Sequence, residues 1–445
     1  MDWIIIIHAF LFLVFWLTNL SFQQAVNEFL SDATGLRMNY LLIFLIFSAI
    51  AGLLSAFRLW SSNARKGGPT RLVRFGGWLY LLFFYGSFII LFLKNPVQIA
   101  RLEQLLQYFR IFVDAAVLLL AAWGLRNWIR RQAKLRTKLF SGGLLMLLWL
   151  VPVFLTPGSI LRGSMPEKPL LVAHRGAASL APENTLAAMR LAADLGINGL
   201  ETDITISRDG ILFLMHDPTL KRTTNVAQVF PGREKGSADS FTWDELVRLD
   251  AGSWFVGRED YPGEPIPTLA QLLQIVQERH LTFIYDLRLP PAGHPFTDLA
   301  FDLCLAEIKA SGAEARTWVL VSPEDLLKVR AALPQAIPSS GIEYRRAPTP
   351  QELVAAGYLL VNSEFGLSNH MIQAYQHSGL WVNLWTVDEP WQYSRLWMAG
   401  ADSLTSNNVQ LLAGMSRPVM AMAYPDYLGV WGLVGILAVA LARSR

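Results

Sequence analysis

Residues 169–206 read PLLVAHRGAASLAPENTLAAMRLAADLGINGLETDITI. The apolar run Leu170–Ala173 predicts a strand, the amphipathic stretch Asn184–Leu195 predicts a helix, and Gly199–Ile206 predicts a second strand. A strand followed by a helix and another strand is the repeating unit of a parallel sheet. This stretch therefore indicates an α/β fold for the part of the chain around it.

The same alternation continues toward the carboxyl terminus. Further apolar runs predict strands at Ile211–Met215, Leu281–Leu287, Trp318–Ser322, Gly341–Tyr344, Tyr358–Asn362, Trp381–Val387 and Ser403–Thr405. Helical patterns lie at Leu269–Arg279, Phe296–Ala310, Pro323–Ala332, Pro350–Ala356, Asn369–His377 and Trp391–Ala399. About eight strand–helix units in roughly 250 residues favour a TIM-type (β/α)₈ barrel, with one predicted strand too many. The stretch Pro218–Pro267 interrupts the pattern and contains one short helix, Thr242–Leu249.

The amino-terminal part of the chain differs in composition from the rest, because long apolar segments dominate it. Four uncharged segments and two that contain an aspartate predict membrane-spanning helices: Trp3–Val26, Asn39–Phe57, Phe75–Leu93, Tyr108–Trp128, Leu139–Pro157 and Tyr424–Ala442. Segments of about 20 apolar residues are long enough to cross a bilayer core of about 30 Å. The predicted fold class is therefore an α-helical multi-span membrane region joined to an α/β TIM-type barrel.

The composition agrees with this division. The chain is 53% hydrophobic and 16% charged, which excludes a disordered protein and argues against a purely soluble one. A formal net charge of +3 gives no reason to expect a nucleic-acid partner. Since Cys304 is the only cysteine, the chain cannot form an internal disulfide.

Basic residues in the loops predict the orientation in the membrane. The loop between spans two and three and the loop between spans four and five together contain 11 lysine and arginine residues, against 4 in the other two loops. We therefore expect a multi-pass protein of the plasma or inner membrane with both termini cytoplasmic and the barrel outside the cytoplasm. The expected domains are a five-span region at 1–165, the barrel at 166–418, and a carboxyl-terminal transmembrane helix with a short basic tail at 419–445.

Polar residues stand where four consecutive predicted strands end. His174 and Arg175 follow the first strand, Glu201 and Asp203 share one face of the second, His216 ends the third, and Asp286 and Arg288 share one face of the fourth. The carboxyl-terminal strand ends of a TIM barrel form the mouth in which active sites lie. We therefore expect these side chains to meet.

The residue types point to one kind of chemistry. Three carboxylates without a thiolate suit a hard divalent cation such as Mg²⁺ or Ca²⁺. Two histidines suit a general acid and a general base. An arginine beside a metal suits the negative charge of a phosphate. From the residues alone, the constellation predicts metal-assisted cleavage of a phosphoester.

The ordered motifs also resemble a known family. The chain is similar to the glycerophosphodiester phosphodiesterases over about Leu170–Leu412. The motifs that support the resemblance are His174-Arg175-Gly176, Pro182-Glu183-Asn184-Thr185, Glu201-Thr202-Asp203, His216-Asp217, Arg222-Thr223-Thr224, Ile266-Pro267-Thr268-Leu269 and Trp385-Thr386-Val387. The resemblance implies a TIM-type barrel that hydrolyses glycerophosphodiesters to glycerol 3-phosphate and an alcohol.

The resemblance also implies roles for particular residues. Glu201, Asp203 and the residue at 286 would hold the metal, and His174 and His216 would act as acid and base. Arg175 would be catalytic as a second positive charge on the phosphate. The two remaining substrate contacts are expected from Arg288 and Trp385.

The chain departs from the family pattern at three places. Asp286 stands where most relatives have glutamate, and Arg288 stands where they have lysine. The late Thr-Asp-x-Pro motif is replaced by Thr405-Ser406-Asn407-Asn408, which leaves the closure of the last barrel turn open.

Two other functions compete with glycerophosphodiester hydrolysis. A barrel tethered to a membrane at both ends lies near lipid headgroups, which favours a lysophospholipase D or a phosphodiesterase that cuts lipid anchors. The bilayer and either a glycerophosphodiester or a lysophospholipid are the expected partners. The second alternative is a receptor-like membrane protein whose barrel is a catalytically dead enzyme. The intact histidines and carboxylates argue against that alternative.

Overall fold

The computed structural model describes residues 2–17, 27, 39–62, 96–130, 135–256 and 261–443 of the 445-residue chain. The chain divides into two compact units, Met1–Val117 and Leu118–Arg445.

The first unit is helical. Its described helices are α1 (Asp2–Leu17), α2 (Tyr40–Ser62), α3 (Pro96–Tyr108) and the first part of α4 (Arg110–Arg130). Helices α1 and α2 approach closely, because a Cβ atom at Gly52 would lie 2.9 Å from Cβ of Ala9. Small residues permit such close helix packing in membranes. Within α4, Nε of Arg110 lies 3.2 Å from Oδ2 of Asp114, so the one acidic residue of this helix is paired.

The predicted membrane spans are only partly covered by the described residues. One described helix, α16 (Tyr424–Arg443), is long and apolar enough to cross a bilayer, and it matches the predicted sixth span. Shorter apolar helical segments occur at Tyr40–Leu53 and Lys138–Phe154, and they overlap two other predicted spans. The predicted span Phe75–Leu93 lies outside the described residues, and Trp3–Val26 is described as far as Leu17.

The second unit contains a short two-stranded parallel sheet, β1 (Ile160–Leu161) with β11 (Met422–Ala423), and a closed barrel of eight parallel strands. They are β2 (Leu170–His174), β3 (Gly199–Ile206), β5 (Thr282–Leu287), β6 (Thr317–Leu320), β7 (Ile337–Ile342), β8 (Leu360–Glu364), β9 (Trp381–Trp385) and β10 (Ser403–Ser406). Each strand pairs with the next around the barrel, and the pairing of β2 with both β3 and β10 closes it. The predicted TIM-type barrel is confirmed, and its last turn closes despite the altered motif at 405–408.

The second unit also contains helices, most of which connect the barrel strands, whereas α5 precedes the barrel and α16 follows it. They are α5 (Leu135–Phe154), α6 (Leu186–Asp194), α7 (Val226–Val229), α8 (Trp243–Leu246), α9 (Leu269–Glu278), α10 (Ala300–Ser311), α11 (Leu326–Ala332), α12 (Pro350–Ala356), α13 (Asn369–His377), α14 (Pro390–Ala399), α15 (Val409–Leu412) and α16. Single 3₁₀ turns lie at Ala238–Ser240, Glu314–Arg316 and Tyr344–Arg346.

Two strand predictions are corrected. The run predicted at Ile211–Met215 forms β4 (Leu212–Leu214), which pairs antiparallel with β3 outside the barrel and accounts for the ninth predicted strand. A short apolar run does not by itself distinguish a parallel from an antiparallel partner. The strand predicted at Gly341–Tyr344 begins four residues earlier, at Ile337, and includes Pro338, a residue that usually argues against a strand interior.

The start of α6 is also later than predicted, and the difference matters for the site. Asn184 has a left-handed backbone conformation, with φ of +56°, so it cannot belong to the helix. Thr185 caps the helix instead, because its hydroxyl accepts a hydrogen bond from the backbone N–H of Ala188 at 3.2 Å. The side chain of Asn184 is thereby free to point into the barrel mouth.

The excursion between β4 and α9 has a hydrophobic core of its own. Its buried members include Leu220, Val226, Phe241, Leu246 and Ile266, which pack against β4. This packing fixes the segment that follows His216 on the barrel rim.

Candidate active site

The predicted catalytic side chains lie together at the carboxyl-terminal end of the barrel. His174 is the last residue of β2 and pairs in register with Glu201 on β3. On the other side of β3, Asp203 pairs in register with Asp286 on β5. Adjacent parallel strands thus bring one predicted histidine and all three predicted carboxylates to one region of the mouth.

Glu201 occupies the centre of this region. One of its carboxylate oxygens, Oε2, accepts the backbone N–H of Arg175 at 3.0 Å and lies 3.8 Å from Nε2 of His174. Burial, followed by the charge of Asp203, raises the pKa of Glu201 well above its usual range. Desolvation and the charge of Asp203 also raise the pKa of Asp286, although that residue as a whole is exposed.

Asp203 is held from two sides. Its Oδ2 atom accepts a hydrogen bond from Nδ2 of Asn184 at 3.0 Å and lies 3.1 Å from Nε of Arg175. The hydroxyl of Thr202 donates to Oδ1 of Asn184 at 2.7 Å and fixes the orientation of that amide. The sequence motif around 182–185 therefore has a direct physical role, because it orients a predicted metal ligand.

Arg175 reaches the mouth from a strained turn. Its backbone φ is +56°, and the next residue, Gly176, has φ of +83°. A Cβ atom at position 176 would lie 2.7 Å from the backbone carbon of Ala188, so only glycine allows this approach to α6. The guanidinium group is mostly buried and donates to Oε1 of Glu183 at 3.0 Å.

His174 is oriented by a residue from the last barrel strand. Its Nδ1 atom lies 2.6 Å from Oδ1 of Asn407, which follows β10. Asp388 holds Asn407 in turn, accepting hydrogen bonds from its backbone N–H at 2.8 Å and its side-chain amide at 2.9 Å. Burial and the charge of Arg175 lower the pKa of His174. Because the amide oxygen can only accept, His174 carries its proton on Nδ1 and leaves Nε2 available.

His216 has a charged partner instead. It follows β4, and its Nδ1 atom lies 2.7 Å from Oδ1 of Asp217. Arg222 bridges Asp217 and Glu183, with distances of 2.6 Å from its Nε to Oδ2 of Asp217 and 2.8 Å from its Nη1 to Oε2 of Glu183. Burial alone would raise the pKa of Asp217, but its hydrogen bonds to Arg222 and His216 lower it to about 2. Asp217 is therefore ionised at neutral pH.

The two predicted substrate contacts also lie at the mouth. Arg288 directly follows β5, and its Nη1 atom is buried without a hydrogen-bond acceptor among the described residues. Trp385 is the last residue of β9 and is 37% exposed, so it is not an ordinary core residue. Nη1 of Arg288 and the ring of Trp385 are therefore both available to a ligand.

The predicted cation site is not preformed. Among the described side chains, no group of three or more histidine, cysteine, aspartate and glutamate residues is arranged to hold a metal ion. The donor chemistry nevertheless fits a hard cation, because burial and then the charge of Asp203 raise the pKa values of Glu201 and Asp286. A divalent cation would relieve this repulsion between carboxylates.

Sequence reasoning missed several residues that complete the site. Glu183, Asn184, Asp217 and Arg222 belonged to recognised motifs but had no predicted role, and Asp388 was not singled out. Asn407 was read only as part of a departure that left the last barrel turn open.

A TIM barrel whose mouth contains two histidines, three carboxylates and two arginines defines a class of enzymes that cleave phosphodiesters. Residues 174–411 match the model of the glycerophosphoryl diester phosphodiesterase family, which covers more than half of the chain. The chain therefore belongs to this family. The predicted family is confirmed, and its name is that of a phosphoric diester hydrolase.

Individual relatives agree with this assignment. The chain is 34% identical over 348 residues to the glycerophosphoinositol inositolphosphodiesterase GDPD2 of Homo sapiens, which covers 74% of this chain and 63% of that protein. It is 28% identical over 254 residues to a glycerophosphodiester phosphodiesterase of Caldanaerobacter subterraneus, over 56% of this chain and 98% of that one. The chain thus spans less than two thirds of the length of the mammalian relative.

Solved structures of similar proteins are also known. A glycerophosphoryl diester phosphodiesterase from Silicibacter pomeroyi aligns with a TM-score of 0.49 and 24% identity, covering 60% of this chain and 96% of that one. A phosphodiesterase from Oleispira antarctica, solved with the product sn-glycerol 3-phosphate, aligns with a TM-score of 0.47 and 24% identity, over 55% of this chain and 95% of that one.

Proposed function

We propose that the protein hydrolyses glycerophosphodiesters to glycerol 3-phosphate and an alcohol, in a barrel that is anchored to a membrane and faces away from the cytoplasm. Family membership supports the reaction class. The observation that carries the proposal is the pairing of both histidines at Nδ1, by Asn407 for His174 and by Asp217 for His216. Each ring then has Nε2 left for the substrate.

The different partners of the two histidines suggest different roles. A neutral amide stabilises an imidazolium less than a carboxylate does, and burial and the charge of Arg175 lower the pKa of His174, so this ring is suited to accept a proton from the attacking hydroxyl. An ionised carboxylate does stabilise an imidazolium, so His216 with Asp217 is suited to donate a proton to the leaving oxygen. The attacking hydroxyl belongs to water or to the glycerol of the substrate, which would give a cyclic phosphate first.

Positive charge for the phosphate would come from two arginines. Arg175 is held in place by Glu183 and Asp203, so its remaining donors are pre-oriented. Arg288 contributes a buried donor that lacks an acceptor among the described residues. Trp385, exposed at the end of β9, would pack against the substrate.

A divalent cation, Mg²⁺ or Ca²⁺, would be held by Glu201, Asp203 and Asp286. When bound, it would supply positive charge to the phosphate oxygens. The support for this assignment is the clustering of these carboxylates on neighbouring strands and the raised pKa values of Glu201 and Asp286.

Membrane anchoring through several spans is part of the proposal. Its support is the apolar helix α16, the shorter apolar segments Tyr40–Leu53 and Lys138–Phe154, and the uncharged stretches in the sequence. The asymmetry of 11 against 4 basic loop residues supports an external barrel and cytoplasmic termini. The proposed domains remain 1–165, 166–418 and 419–445.

The purified full chain in detergent or nanodiscs tests the reaction. Glycerophosphocholine, glycerophosphoinositol and glycerophosphoethanolamine should release glycerol 3-phosphate with Mg²⁺ or Ca²⁺, and a chelator should stop the release. The double variant His174→Ala with His216→Ala should be inactive, whereas the surface variant Asp302→Ala should be fully active. Absence of glycerol 3-phosphate with every substrate and cation would contradict the proposal.

A further inference from the structure

Parts of three helices in the second unit enclose a groove of about 600 Å³ far from the barrel mouth. The helices are α4, α5 and α16, and the residue that α4 contributes, Leu118, is the first residue of the second unit. Among the described residues that line the groove, all are apolar except Arg443 at one end. Clefts that bind ligands have volumes of about 300–1,000 Å³, so the groove is large enough to hold one.

Hydrogen bonds between α5 and α16 fix the shape of the groove. Nε1 of Trp149 donates to the backbone oxygen of Trp431 at 3.2 Å, and Nε1 of Trp431 donates back to the oxygen of Trp149 at 2.7 Å. The hydroxyl of Tyr427 donates to the oxygen of Pro152 at 3.0 Å, so the two helices run antiparallel. A Cβ atom at Gly435 would lie 2.5 Å from Nε1 of Trp149, so this ring packs directly on the backbone of α16 and closes the inner end of the groove.

The length of the groove matches one leaflet of a bilayer. Its lining on α16 extends from Gly432 to Arg443, which is about 16 Å at a rise of 1.5 Å per residue. Half of a hydrocarbon core of about 30 Å is roughly 15 Å. Met146, Ile436 and Val439 line the groove and are each more than half exposed, so it is open along its side. An acyl chain of one leaflet can therefore lie along it.

The outer end of the groove is basic. Arg443 lines it, and the antiparallel course of α5 brings the exposed Arg136 and Lys138 to the same end of the helix pair. In the sequences of α5 and α16 the one acidic residue is Asp426, at the opposite end of α16. Basic clefts between membrane helices on the cytoplasmic side bind the headgroups of anionic lipids. The groove thus combines an apolar channel for a chain with positive charge for a headgroup.

We propose that this groove binds one acyl chain of an anionic phospholipid from the cytoplasmic leaflet, with the phosphate of its headgroup against Arg443 and Lys138. The inference rests on the proposed function, because it takes α4, α5 and α16 as membrane helices and the termini as cytoplasmic. The lipid is a resident ligand of the membrane region and not a substrate. Because Trp149 both lines the groove and bonds to α16, a bound lipid stabilises the helix pair that tethers the barrel at both ends.

Charge favours a lipid over a protein segment as the occupant. The predicted span Phe75–Leu93 is uncharged, and in the sequence it is flanked by Arg74 and Lys94, which carry the same charge as the end of the groove. A second copy of the chain lying parallel to the first would bring its own Arg443 to the same level. Like charges repel, whereas an anionic headgroup complements this end.

Lipid binding to the purified full chain in detergent tests the proposal. Native mass spectrometry measures the binding of palmitoyl-oleoyl phosphatidylglycerol and palmitoyl-oleoyl phosphatidylcholine, which share their acyl chains and differ in net charge. A chelator is present throughout, so that the proposed hydrolysis does not consume either lipid. Since each positive charge near an anionic headgroup strengthens binding by about fivefold, we expect one phosphatidylglycerol to bind with a Kd at least about tenfold below that of phosphatidylcholine.

Two matched pairs of glycine variants locate the chain in the groove. Gly432 and Gly142 line the groove, whereas Gly429 on α16 and Gly143 on α5 do not. A Cβ atom at any of the four meets no other described atom within 4 Å, so none of the substitutions by leucine creates a clash at Cβ. Since each buried methylene strengthens lipid binding by about fourfold, Gly432→Leu and Gly142→Leu should each weaken phosphatidylglycerol binding by at least about tenfold. Gly429→Leu and Gly143→Leu should bind it like the parent chain.

A charge variant locates the headgroup. Lys138→Gln with Arg443→Gln should weaken phosphatidylglycerol binding by about 25-fold and leave phosphatidylcholine binding nearly unchanged. The control is Arg417→Gln, which removes an exposed charge from the segment before α16, at the other end of that helix. An unchanged preference for phosphatidylglycerol in the double variant would overturn the assignment of the headgroup site.

The remaining outcomes separate the lipid from other occupants and from the proposed reaction. Equal binding of the two lipids to the parent chain, or equal phosphatidylglycerol binding by Gly432→Leu and Gly429→Leu, would overturn the inference. A dimer that only Gly432→Leu dissociates would also overturn it, because the groove would then hold a second copy. If the lipid binds as expected but no glycerophosphodiester releases glycerol 3-phosphate, the proposed reaction fails and the lipid site stands. Release of glycerol 3-phosphate without any lipid preference would have the opposite meaning.

Discussion

Oδ1 of Asn407 lies 2.6 Å from Nδ1 of His174, although the two residues are 233 positions apart in the chain. The contact exists because β10, which precedes Asn407, pairs with β2, which ends at His174. Asp388 accepts both the backbone and the side-chain N–H groups of Asn407 and so prevents the amide from rotating. The closure of the barrel thereby sets the proton position on a histidine that we propose to be catalytic.

Replacing Asp388 should reduce turnover through His174. In Asp388→Ala the backbone N–H and the side-chain amide of Asn407 both lose their acceptor. The side-chain amide can then rotate and point its NH₂ group at Nδ1 of His174, which favours the tautomer with the proton on Nε2. We expect kcat to fall about 10- to 100-fold, less than the about 10²–10⁴-fold loss expected for removing a general base outright. Steady-state kinetics with glycerophosphocholine measure the effect.

The control for that experiment is Asp302→Ala, which removes only an exposed pair with Lys328. It should leave kcat unchanged. If Asp388→Ala folds and retains full turnover, Asn407 does not depend on Asp388 for its orientation.

Arg222 should matter for stability as well as for the position of His216. It holds Asp217 and Glu183 with three of its guanidinium nitrogens, a geometry that lysine cannot reproduce. We expect Arg222→Lys to lower the free energy of unfolding by about 1–2 kcal/mol, a modest value because the side chain is 45% exposed.

The matched control is Arg279→Lys. Arg279 pairs with Asp194 on the surface, where both side chains are more than half exposed. Exposed pairs contribute about 0–1 kcal/mol, so this variant should unfold almost like the parent chain in a denaturant titration. Equal effects of the two substitutions would mean that the bridge by Arg222 has no special stabilising role.

Much of the barrel and of its mouth can be predicted from the sequence, because the patterns that define them are local. Short apolar runs alternate with amphipathic stretches, and polar residues at the ends of parallel strands must face one mouth. Glu201, Asp203 and Asp286 are predictable in this way. The antiparallel β4 is not, since its apolar run reads like that of a barrel strand.

The supporting contacts are harder to predict, because they join distant segments. Asn184 reaches Asp203 only because its backbone is left-handed. The sequence does not predict this conformation for an asparagine in front of a helix. Asn407 occupies a position where the chain departs from its family, and its use became apparent only from its distance to His174. Backbone conformation and tertiary register decide such contacts.

The external position of the barrel can be checked with cysteine labels. A membrane-impermeant maleimide added to intact cells should label Leu289→Cys, which is exposed beside the mouth. Leu135→Cys, exposed at the start of α5 and before the proposed span five, should be labelled only after permeabilisation. The parent chain should stay unlabelled, because Cys304 is buried and its pKa is raised by burial. The reverse labelling pattern would place the barrel in the cytoplasm.

The carboxylate cluster should make the metal-free protein less stable as the pH rises. Burial and the charge of Asp203 raise the pKa of Glu201 above its unfolded value of about 4.3. Between these two pKa values the folded state binds more protons than the unfolded state, so the free energy of unfolding decreases with increasing pH. We expect the apparent Tm in EDTA to fall as the pH rises above about 4.3 and Glu201 loses its proton in the folded state.

Glu201→Gln removes the titrating group and should flatten this dependence. Adding Mg²⁺ or Ca²⁺ at the higher pH should restore the Tm of the parent chain and have little effect on the variant. Calorimetric scans of the parent chain and of the variant at several pH values measure both dependences of the Tm. A parent Tm that rises with pH in EDTA, or a variant that falls as steeply, would contradict repulsion at Glu201.

The leaving group of the substrate distinguishes the roles of the two histidines. Cleavage of a phosphodiester needs a proton taken from the nucleophile and a proton given to the leaving oxygen. His216, with the ionised Asp217 at Nδ1, is assigned the second task, and His174, with the neutral Asn407, is assigned the first. Either change to alanine should reduce kcat for glycerophosphocholine by about 10²–10⁴-fold. The double variant should lose less than the product of these factors, since the two groups act together.

A nitrophenyl ester of glycerol phosphate replaces the poor leaving group with one that departs without a proton. With this substrate His216→Ala should recover most of its activity, because the missing acid is no longer needed. His174→Ala should remain defective by about 10²-fold or more, because the nucleophile still has to lose its proton. Recovery by His174→Ala alone would reverse the assignment. Recovery by neither variant would show that the partly buried His216 does not donate the proton. Near-normal turnover of glycerophosphocholine by His216→Ala would exclude the pair mechanism.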